Sequence, residues 1–410
     1  MININYISLF SSAGVGCYGF LQENFDCIAT SELIKRRLDI QKANEKVKNP
    51  AGYILGDITE KSNKEKLYQV VNGYLKENSK SEVDVVVFTA PCQGMSVANH
   101  KKNDGTIEKN SLVVEALEII KKIQPKIFIS ENVRSFMNTK CVDHNKEKKI
   151  SEAFNDWLSE DYLYSSKILN FKDYGANSSR TRSLVIGVRR DIERKINIEA
   201  LFPQKEELKT LHQVIGHLPK LEVMGEIDKT DIFHNFKAYR KDMRSWIKDV
   251  KPGYSAFDNI DSHKRPHRVV DGKRVENVNK NGDKYTRQQW EKVAPCVHTR
   301  NDIISSQNTV HPCDDRVFSI RELMLLMNIP SDFKWAPYSS EKDLNSMSQE
   351  EKRQFLKENE INIRQSIGEA VPTIIMRKIA QNIKESFEYG NHKRQNSKEL
   401  HQQLQLTLQG

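Results

Sequence analysis

Short apolar segments alternate with helical patterns from residue 1 to about residue 190, and no other feature restricts the fold as strongly. Such alternation is typical of a parallel sheet with helices on its faces. We therefore expect an α/β fold with a doubly wound sheet. The predicted strands cover residues 4–10, 25–30, 83–89, 126–130, 166–170 and 184–189.

Helical patterns lie between these strands and again near the end of the chain. Residues 111–123 have apolar side chains at helical spacing after Ser111, which can cap the helix, and residues 151–158 form a second pattern. From about residue 191 to residue 310, glycine, asparagine, proline and charged residues dominate, which predicts a second, smaller, loop-rich domain. Helices are predicted over residues 319–327 and 371–387, and a polar tail from residue 391.

Several classes of protein are not expected. No stretch approaches the roughly 18–20 consecutive apolar residues of a membrane span, and MININYISLF lacks the features of a secretion leader, so we expect an intracellular protein with no membrane anchor. The six cysteines form no CxxC pair, so we expect no metal and no disulfide framework. A reactive cysteine would therefore act singly. The six are Cys17, Cys27, Cys92, Cys141, Cys296 and Cys313.

The formal net charge is +9, and one basic stretch carries most of the excess. Residues 237–300 contain 16 Lys and Arg against 8 Asp and Glu, interleaved with tyrosine, tryptophan and histidine. This composition suits a polyanion with stackable bases, such as a nucleic acid. A solvated surface loop explains the charge equally well.

The first predicted strand ends in a turn of small residues, at residues 10–16 (FSSAGVG). Such a turn lets a ligand approach the backbone, although many tight connections look the same. Glu32 follows the next strand, where a carboxylate can accept hydrogen bonds from ribose hydroxyls, and Asp57 follows another apolar stretch, where it could meet an adenine amino group. Each alone is more often a surface residue. Together they predict an adenosine-containing cofactor.

Residues 85–96, VVVFTAPCQGMS, lead a buried strand directly into a tight turn that contains Cys92. Active sites of doubly wound folds lie at this edge of the sheet, and free amides or arginines there would lower the pKa of a thiol. A free cysteine is more commonly a small buried apolar residue. Pro91 and Gly94 make a poor core strand, so we favour a nucleophile.

Charged residues flank two further predicted strands. FISENV places Glu131 after a buried strand, where a carboxylate is costly without a partner or a function. NSSRTRSLVIG places Arg180 and Arg182 at alternate positions of an extended chain, so that they project to one face. A nucleophile, a carboxyl that can protonate a ring nitrogen and two arginines for an anionic substrate form a coherent set.

These residues resemble the motifs of cytosine-5 DNA methyltransferases, in the family's order, from residue 6 to about residue 388. The nucleophile motif is matched by Pro91-Cys92-Gln93, the ENV motif by Glu131-Asn132-Val133, the RxR element by Arg180-Thr181-Arg182 and the cofactor loop by residues 10–14. The later RxxxxRE element is matched by Arg316, Arg321 and Glu322, and the closing motif by Gly368, Ala370, Val371 and Pro372. The ordered set is specific, although several of its members are weak alone.

The resemblance implies a Rossmann-like methyltransferase sheet with a target-recognition domain, and S-adenosyl-L-methionine as the cofactor. Cys92 would attack carbon 6 of a cytosine flipped out of a specific duplex DNA sequence, and Glu131 would protonate or hydrogen-bond nitrogen 3. Arg180 belongs to the catalytic set, and Arg182 would contact the flipped base or its phosphate. The cofactor site would be formed by Phe10, Ser12, Gly14, Glu32, Leu33, Asp57, Ile58, Pro91, Leu112 and Glu369.

The resemblance also implies a division of the chain. The catalytic and cofactor-binding domain would cover residues 1–190, the target-recognition domain 191–315, a hinge and return segment 316–363, a C-terminal helix on the catalytic domain 364–390 and a polar tail 391–410. The basic stretch would then contact double-stranded DNA, and residues 285–302 are the first part to test. We expect a bacterial cytoplasmic monomer that protects DNA in a restriction–modification system, in functional pairing with a restriction endonuclease.

Three sites depart from the family pattern. Ser12 stands where glycine is usual, which affects the geometry of the loop. Asn177 and Ser178 replace Pro-Gln before the RxR element, with the loss of a supporting contact, and Glu369 stands where asparagine is common. None is the nucleophile or its glutamate, so we expect an active enzyme.

Two alternatives stay open. A tRNA cytosine-5 methyltransferase of the same fold would use the same cysteine and glutamate, although Gly94 and the long variable region favour DNA. A non-catalytic DNA-binding protein could retain the fold, but it would not need intact Cys92 and Glu131. An amino-methylating DNA enzyme is not expected, because APCQGM is not its Asp/Asn/Ser-Pro-Pro-aromatic element.

Overall fold

The structure is a computed structural model that describes residues 3–91, 110–279, 282–336 and 340–388. Cys92 and Gly94 lie outside the described residues, as does the predicted tail from residue 391. The chain forms two compact units. Unit 1 consists of Met1–Asn170, Thr181–Lys205 and Thr373–Gly410, and unit 2 of Phe171–Arg180 and Glu206–Pro372.

Unit 1 contains a central sheet of seven strands and a small separate hairpin. The sheet strands are β1 Asn5–Leu9, β2 Asp26–Glu32, β3 Tyr53–Leu55, β4 Val85–Phe88, β5 Ile127–Val133, β8 Tyr162–Asn170 and β9 Thr181–Arg189, and the hairpin strands are β6 Lys140–Asp143 and β7 Lys146–Lys149. The order in the sheet is β3-β2-β1-β4-β5-β9-β8. The first five are parallel, and β9 is antiparallel to both of its neighbours. The predicted α/β fold class is confirmed.

Helices of unit 1 cover the apolar strands and close its core. They are α1 Tyr18–Gln22, α2 Lys35–Ala43, α3 Lys61–Glu77, α4 Leu112–Ile123 and α5 Ile150–Leu158. The four residues of β4 are all buried, as a central parallel strand requires. The core includes Phe88 from β4, Phe128 from β5 and Phe154 from α5.

Three local predictions need correction. β9 begins at Thr181 rather than at residue 184, because the backbone of Arg182 pairs with both Val133 and Leu169 although its side chain is polar. β8 begins at Tyr162 rather than at residue 166, because this polar sequence pairs along its whole length as an edge strand. Ser111 does not cap α4, since its hydroxyl accepts a hydrogen bond from the amide of Val142 at 2.9 Å.

The described residues of unit 2 form several short helices, one long helix, turns and a hairpin. The helices are α6 Leu211–Ile215, α7 Lys241–Ile247, α8 Ile320–Leu326, α9 Glu341–Ser346 and α10 Gln349–Glu369, and the hairpin strands are β10 His267–Val270 and β11 Lys273–Glu276. The sequence did not predict α10, because its charged residues give no clear apolar stripe. Ser348 and Glu351 nevertheless form a capping box at its start.

A last helix, α11, covers residues 373–388 and returns to unit 1. It packs closely on α1, since a side chain at Gly19 would lie 2.5 Å from the amide nitrogen of Arg377. Thr373 donates its hydroxyl to the carbonyl of Val15 at 3.1 Å, and Arg377 pairs with Glu23 at 2.7 Å. Over the described residues, no helix is both long enough and apolar enough to cross a bilayer.

Candidate active site

The turn after β1 has a strained backbone. Phe10 (φ 55°), Ser12 (φ 47°) and Gly14 (φ 79°) all lie in the left-handed region, which costs of order 1–3 kcal/mol for a residue other than glycine and persists only where neighbours enforce it. The carbonyl of Phe10 accepts a hydrogen bond from Thr89 Oγ1 at 2.9 Å. A side chain at position 14 would meet Gln41 Cγ at 3.0 Å. Ser12 thus adopts a conformation that glycine would adopt without strain.

Two carboxylates predicted to hold a cofactor lie at the ends of neighbouring strands. Glu32 ends β2 and is buried, and its carboxylate accepts hydrogen bonds from the amides of Ser12 at 2.7 Å and Ile34 at 3.0 Å. Asp57 follows β3 and is half-buried, and its Oδ1 accepts from the amide of Thr59 at 2.9 Å. Both side chains are therefore held in fixed orientations, and Glu32 is tied directly to the turn after β1.

Apolar side chains are left uncovered beside these carboxylates. Leu33 is 64% exposed after β2, and Leu55 is 45% exposed at the end of β3, the neighbouring strand. Ile58 is buried next to Asp57, whereas Leu112, at the start of α4, is partly buried. Pro91 is the last described residue before the gap. Exposed apolar groups next to carboxylates fit the ring and the hydroxyls of an adenosine.

The end of β4 is anchored on both sides. Thr89 bonds to the turn after β1, and the side-chain amide of Asn132 in β5 donates to the carbonyl of Ala90 at 2.9 Å. Thr89 and Ala90, which directly precede Pro91, are therefore fixed in position. Cys92 follows directly in the sequence but is not among the described residues, so its geometry stays a prediction.

Glu131 lies near the end of β5, with its side chain only 7% exposed. Its Oε1 lies 3.2 Å from Arg182 Nε, in an ion pair whose angles do not make a hydrogen bond. Among the described residues, no donor forms a hydrogen bond to Oε1. The backbone of Arg182, in β9, pairs with Val133 two positions beyond Glu131. A buried carboxyl group with an oxygen that makes no hydrogen bond to the described residues can share a proton with a substrate atom.

Arg180 has different surroundings from Arg182. Its guanidinium is buried in unit 2 and donates to the carbonyls of Val297 and Gly368 at 3.2 Å and of Glu369 at 3.4 Å. Gly368 needs to be glycine, because a side chain there would lie 2.4 Å from the carbonyl carbon of His298. The two arginines are thus not an equivalent pair. The remaining described residues of the predicted site belong to unit 1, and only Arg180 and Glu369 belong to unit 2.

The two residues before Arg180 make contacts that the sequence did not predict. The side-chain amide of Asn177 donates to the carbonyl of Leu325 at 2.8 Å, and its backbone amide donates to Asn328 Oδ1 at 3.1 Å. Ser178 pairs its backbone with Ala294. These bonds hold the segment against the end of α8, so the departure from Pro-Gln comes with replacement contacts.

The RxxxxRE residues form a buried ionic network in unit 2. Arg316 bonds to Glu322 at 2.7 and 2.8 Å and to Asp314 at 2.8 and 2.9 Å. Burial raises the pKa of Glu322, but the Arg316 guanidinium outweighs burial, and the net pKa lies well below the ordinary value. Arg321 pairs instead with Asp231. The network is structural, because its charged groups are satisfied by one another.

The basic stretch is not uniformly exposed. Within residues 285–302, Tyr285, Arg287, Ala294 and Val297 are buried, and Arg287 donates to the carbonyls of Ile247 and Val250 at 2.8 Å. The β10–β11 hairpin is an exposed part of the stretch, and its turn, Asp271-Gly272, has positive φ at both residues. Cross-strand pairing puts Arg268, Val270, Lys273 and Val275 on one face of it, and all four are exposed.

A His–Cys–Asp group in unit 2 has the spacing of metal ligands. The ligand atoms of His311, Cys313 and Asp314 all lie within 4.8 Å of one another. However, His311 Nδ1 already accepts from the amide of Asp314 at 3.1 Å, and Asp314 binds Arg316. Partial burial and the neighbouring Asp314 raise the pKa of the Cys313 thiol to about 11, which disfavours the thiolate that a metal needs. We assign no metal to this group.

Sequence reasoning overlooked several residues that shape the site. Leu55 could have been found, since it precedes Asp57 by two positions. Asn132 was named within the ENV motif, but its bond to the carbonyl of Ala90 was not predicted. Gln41 and Lys46 gave no such signal, because polar residues in and after a helix usually face solvent.

Comparison with known proteins places the chain in a family. The family described as C-5 cytosine-specific DNA methylase matches residues 4–385. The Type II methyltransferase M1.HgaI of Avibacterium volantium is 29% identical over 393 residues, which cover 93% of this chain and 98% of that protein. The Type II methyltransferase M1.HphI of Haemophilus parahaemolyticus is 27% identical over 384 residues, 93% of this chain and 86% of that protein.

Solved structures share the fold. One described as a DNA modification methyltransferase encoded within an E. coli prophage superposes with a TM-score of 0.62 at 16% identity, over 94% of this chain and all of that one. The Dnmt2 methyltransferase of S. pombe superposes with a TM-score of 0.54 at 11% identity, over 94% of this chain and all of that one.

Proposed function

The chain belongs to the C-5 cytosine-specific DNA methylase family and is a DNA (cytosine-5-)-methyltransferase, and on this premise we propose that it methylates a flipped cytosine within a specific duplex sequence. S-adenosyl-L-methionine would supply the methyl group as an electrophile. The observation that carries the proposal is the buried Glu131 beside Arg182, on the strand whose Asn132 anchors the start of the Pro91-Cys92 turn.

In the proposed reaction, the sulfur of Cys92 forms a bond to carbon 6 of the cytosine, and the electron pair of the ring double bond moves towards carbon 5. Glu131 shares its proton with nitrogen 3, which stabilises the charge that develops on the ring. Arg182 holds the carboxyl group in place. After carbon 5 has been methylated, it would lose its proton to a base in the solvent, and the double bond would re-form. The bond between sulfur and carbon 6 would then break, and nitrogen 3 would return its proton to Glu131.

The cofactor site is assigned to residues of unit 1. Glu32 would accept from the ribose hydroxyls and Asp57 from the adenine amino group, with Leu33 against the base. Phe10, Ser12, Gly14, Ile58, Pro91 and Leu112 would complete the site, and Glu369 is proposed to join it. The uncovered Leu33 and Leu55 beside fixed carboxylates support this assignment.

Trapping on duplex DNA tests the mechanism. A 5-fluorocytosine at the target keeps a fluorine where the proton must leave, so the enzyme should stay covalently bound. We expect a denaturant-resistant adduct with the unmodified protein and with Cys313→Ala, and none with Cys92→Ala. An adduct with Cys92→Ala would exclude the assigned nucleophile. Preferential methylation of tRNA over duplex DNA would instead favour the alternative substrate.

We further propose that residues 191–315 form the target-recognition domain and that the β10–β11 hairpin contacts DNA. A two-stranded ribbon fits the major groove, where Arg268 and Lys273 suit phosphates or guanine and the valines suit thymine methyl groups. Duplex affinity should fall at least tenfold in Arg268→Ala/Lys273→Ala. The control pair Lys292→Ala/Arg300→Ala removes the same charge from residues 285–302 and should weaken binding less.

The biological role we propose is protection of DNA in a bacterial restriction–modification system, by a cytoplasmic monomer that is paired functionally with an endonuclease. The names of the Type II relatives support it. Bisulfite sequencing of DNA from cells that express the protein would give the modified base and the recognition sequence together. Unmodified cytosines throughout that DNA would contradict the proposed activity.

A further inference from the structure

A buried polar network lies beneath the turn after β1. Gln41, in α2, is fully buried, and its side-chain Nε2 donates to the carbonyl of Ser12 at 2.6 Å and to Ser11 Oγ at 3.0 Å. Its Oε1 accepts from Thr30 Oγ1 at 2.7 Å and from Lys46 Nζ at 3.1 Å. The amide group of Gln41 therefore connects the turn after β1 to Lys46.

Lys46 is an unusual member of this network. Its side chain is buried, and its ammonium donates to two neutral oxygens, on Thr30 and Gln41. Across the ranges that the structure describes, no carboxylate pairs with it. A buried ammonium without a counter-ion is costly and is retained only where it serves a purpose.

The lysine fixes the orientation of the Gln41 amide. In the observed orientation the amide oxygen faces the ammonium and the amide nitrogen faces the carbonyl of Ser12. The reversed amide would put its NH2 group against the ammonium and its oxygen against the carbonyl, so both contacts would become repulsive. The charge of Lys46 thus makes the amide a directed donor to the strained turn.

We propose that Gln41 and Lys46 are positioning residues that hold the turn of Phe10–Gly14 in its cofactor-binding conformation. Left-handed backbone at Ser12 would relax without enforcing contacts, and Gln41 supplies one at the carbonyl of Ser12, in addition to the bond from the Ser12 amide to Glu32. The inference rests on the proposed cofactor site, and it adds two residues that do not touch the cofactor.

Gln41→Glu separates this role from folding. The carboxylate keeps the bond from Thr30 and gains an ion pair with Lys46, but it places an oxygen 2.6 Å from the carbonyl of Ser12. We expect an unchanged or higher melting temperature, and S-adenosylhomocysteine binding at least tenfold weaker by calorimetry. The KM for the methyl donor should rise, with little change in kcat or in DNA affinity. Lys46→Met should weaken binding three- to tenfold.

Amide hydrogen exchange provides a readout that needs no ligand. In the ligand-free Gln41→Glu protein, the amides of Ser12 to Gly14 should exchange at least tenfold faster. Tyr162→Phe is the control, because it removes a buried hydrogen bond of unit 1 to the carbonyl of Pro125 at 2.7 Å and should leave both readouts unchanged.

The outcomes distinguish this inference from the proposed function. If the unmodified protein binds S-adenosylhomocysteine and Gln41→Glu binds it within twofold, with unchanged exchange in the turn, the positioning role is wrong and the cofactor site stands. If the unmodified protein does not bind it, the proposed cofactor is wrong. In that case, the amide hydrogen exchange of Ser12 to Gly14 in the ligand-free protein alone tests whether Gln41 and Lys46 hold the turn.

Discussion

The side-chain amide of Asn132 donates a hydrogen bond to the carbonyl of Ala90 at 2.9 Å, and its own oxygen accepts from the amide of Val133 at 2.9 Å. Both polar atoms of the Asn132 side chain therefore form hydrogen bonds. The bond joins the strand that carries Glu131 to the residue before Pro91, so the proposed acid and the proposed nucleophile start from two points fixed relative to each other.

Replacement of Asn132 by aspartate should reduce turnover. The variant keeps the shape of the side chain but places a carboxylate oxygen against the carbonyl of Ala90, which would displace the start of the turn. A displacement of about 1 Å at a reacting group costs on the order of 100-fold in rate. We expect single-turnover methylation to slow 10- to 100-fold, with S-adenosylhomocysteine affinity within threefold. Unchanged methylation would show that the bond does not position Cys92.

Glu131→Gln should be strongly impaired in chemistry. The amide cannot supply a proton to nitrogen 3, and general acid catalysis contributes roughly 10²- to 10⁴-fold. We expect a loss of that size in methyl transfer at saturating DNA and cofactor. Circular dichroism should show a folded protein. Turnover within threefold of the unmodified enzyme would remove Glu131 from the mechanism.

Gly368→Ala should destabilise unit 2, because its new methyl group would lie 2.4 Å from the carbonyl carbon of His298. Overpacking of this kind costs typically 1–3 kcal/mol, measured by urea unfolding. Gly73→Ala is the matched control in α3, where a side chain meets no atom within 4 Å. Helix propensity should make that variant about 0.5–1 kcal/mol more stable. Equal effects of the two substitutions would contradict the close approach.

Stability should fall with acidification partly through His311. Burial is the main cause of its lowered pKa, so the folded imidazole stays neutral while the unfolded one takes up a proton near pH 6.5. This contribution is complete above pH 6.5 and is lost as the pH falls towards the folded-state pKa, at up to about 1.4 kcal/mol per pH unit. In His311→Asn, urea unfolding between pH 7.5 and 5.5 should show a shallower decline. Identical slopes would exclude His311 as the source.

The central sheet could be predicted because its strands carry their own signal. Val85 to Phe88 are continuously apolar, and the change to small and polar residue types after them predicts the edge of the sheet. Glu131 and Glu32 were found for the same reason, as carboxylates placed where buried strands end. Sequence patterns of this kind report local structure and burial.

Contacts between distant segments could not be predicted. The partners of Arg180 are main-chain carbonyls 117 and 188 positions further along the chain, and carbonyl groups leave no trace in the sequence. Without those partners, alternate spacing made Arg180 and Arg182 look equivalent. The burial of Lys46 likewise depends on how α2 packs under the turn, which its own sequence does not reveal.

The return of α11 to α1 determines when this protein can finish folding during synthesis. The bond from Thr373 to Val15 spans 358 positions, so it cannot form until nearly the whole described chain has left the ribosome. The folding of unit 1 therefore stays incomplete while all of unit 2 is translated, and the surface of α1 at Gly19 that α11 later covers stays exposed. A chain that ends prematurely within unit 2 would lack α11, and its methyltransferase unit would stay open on that side.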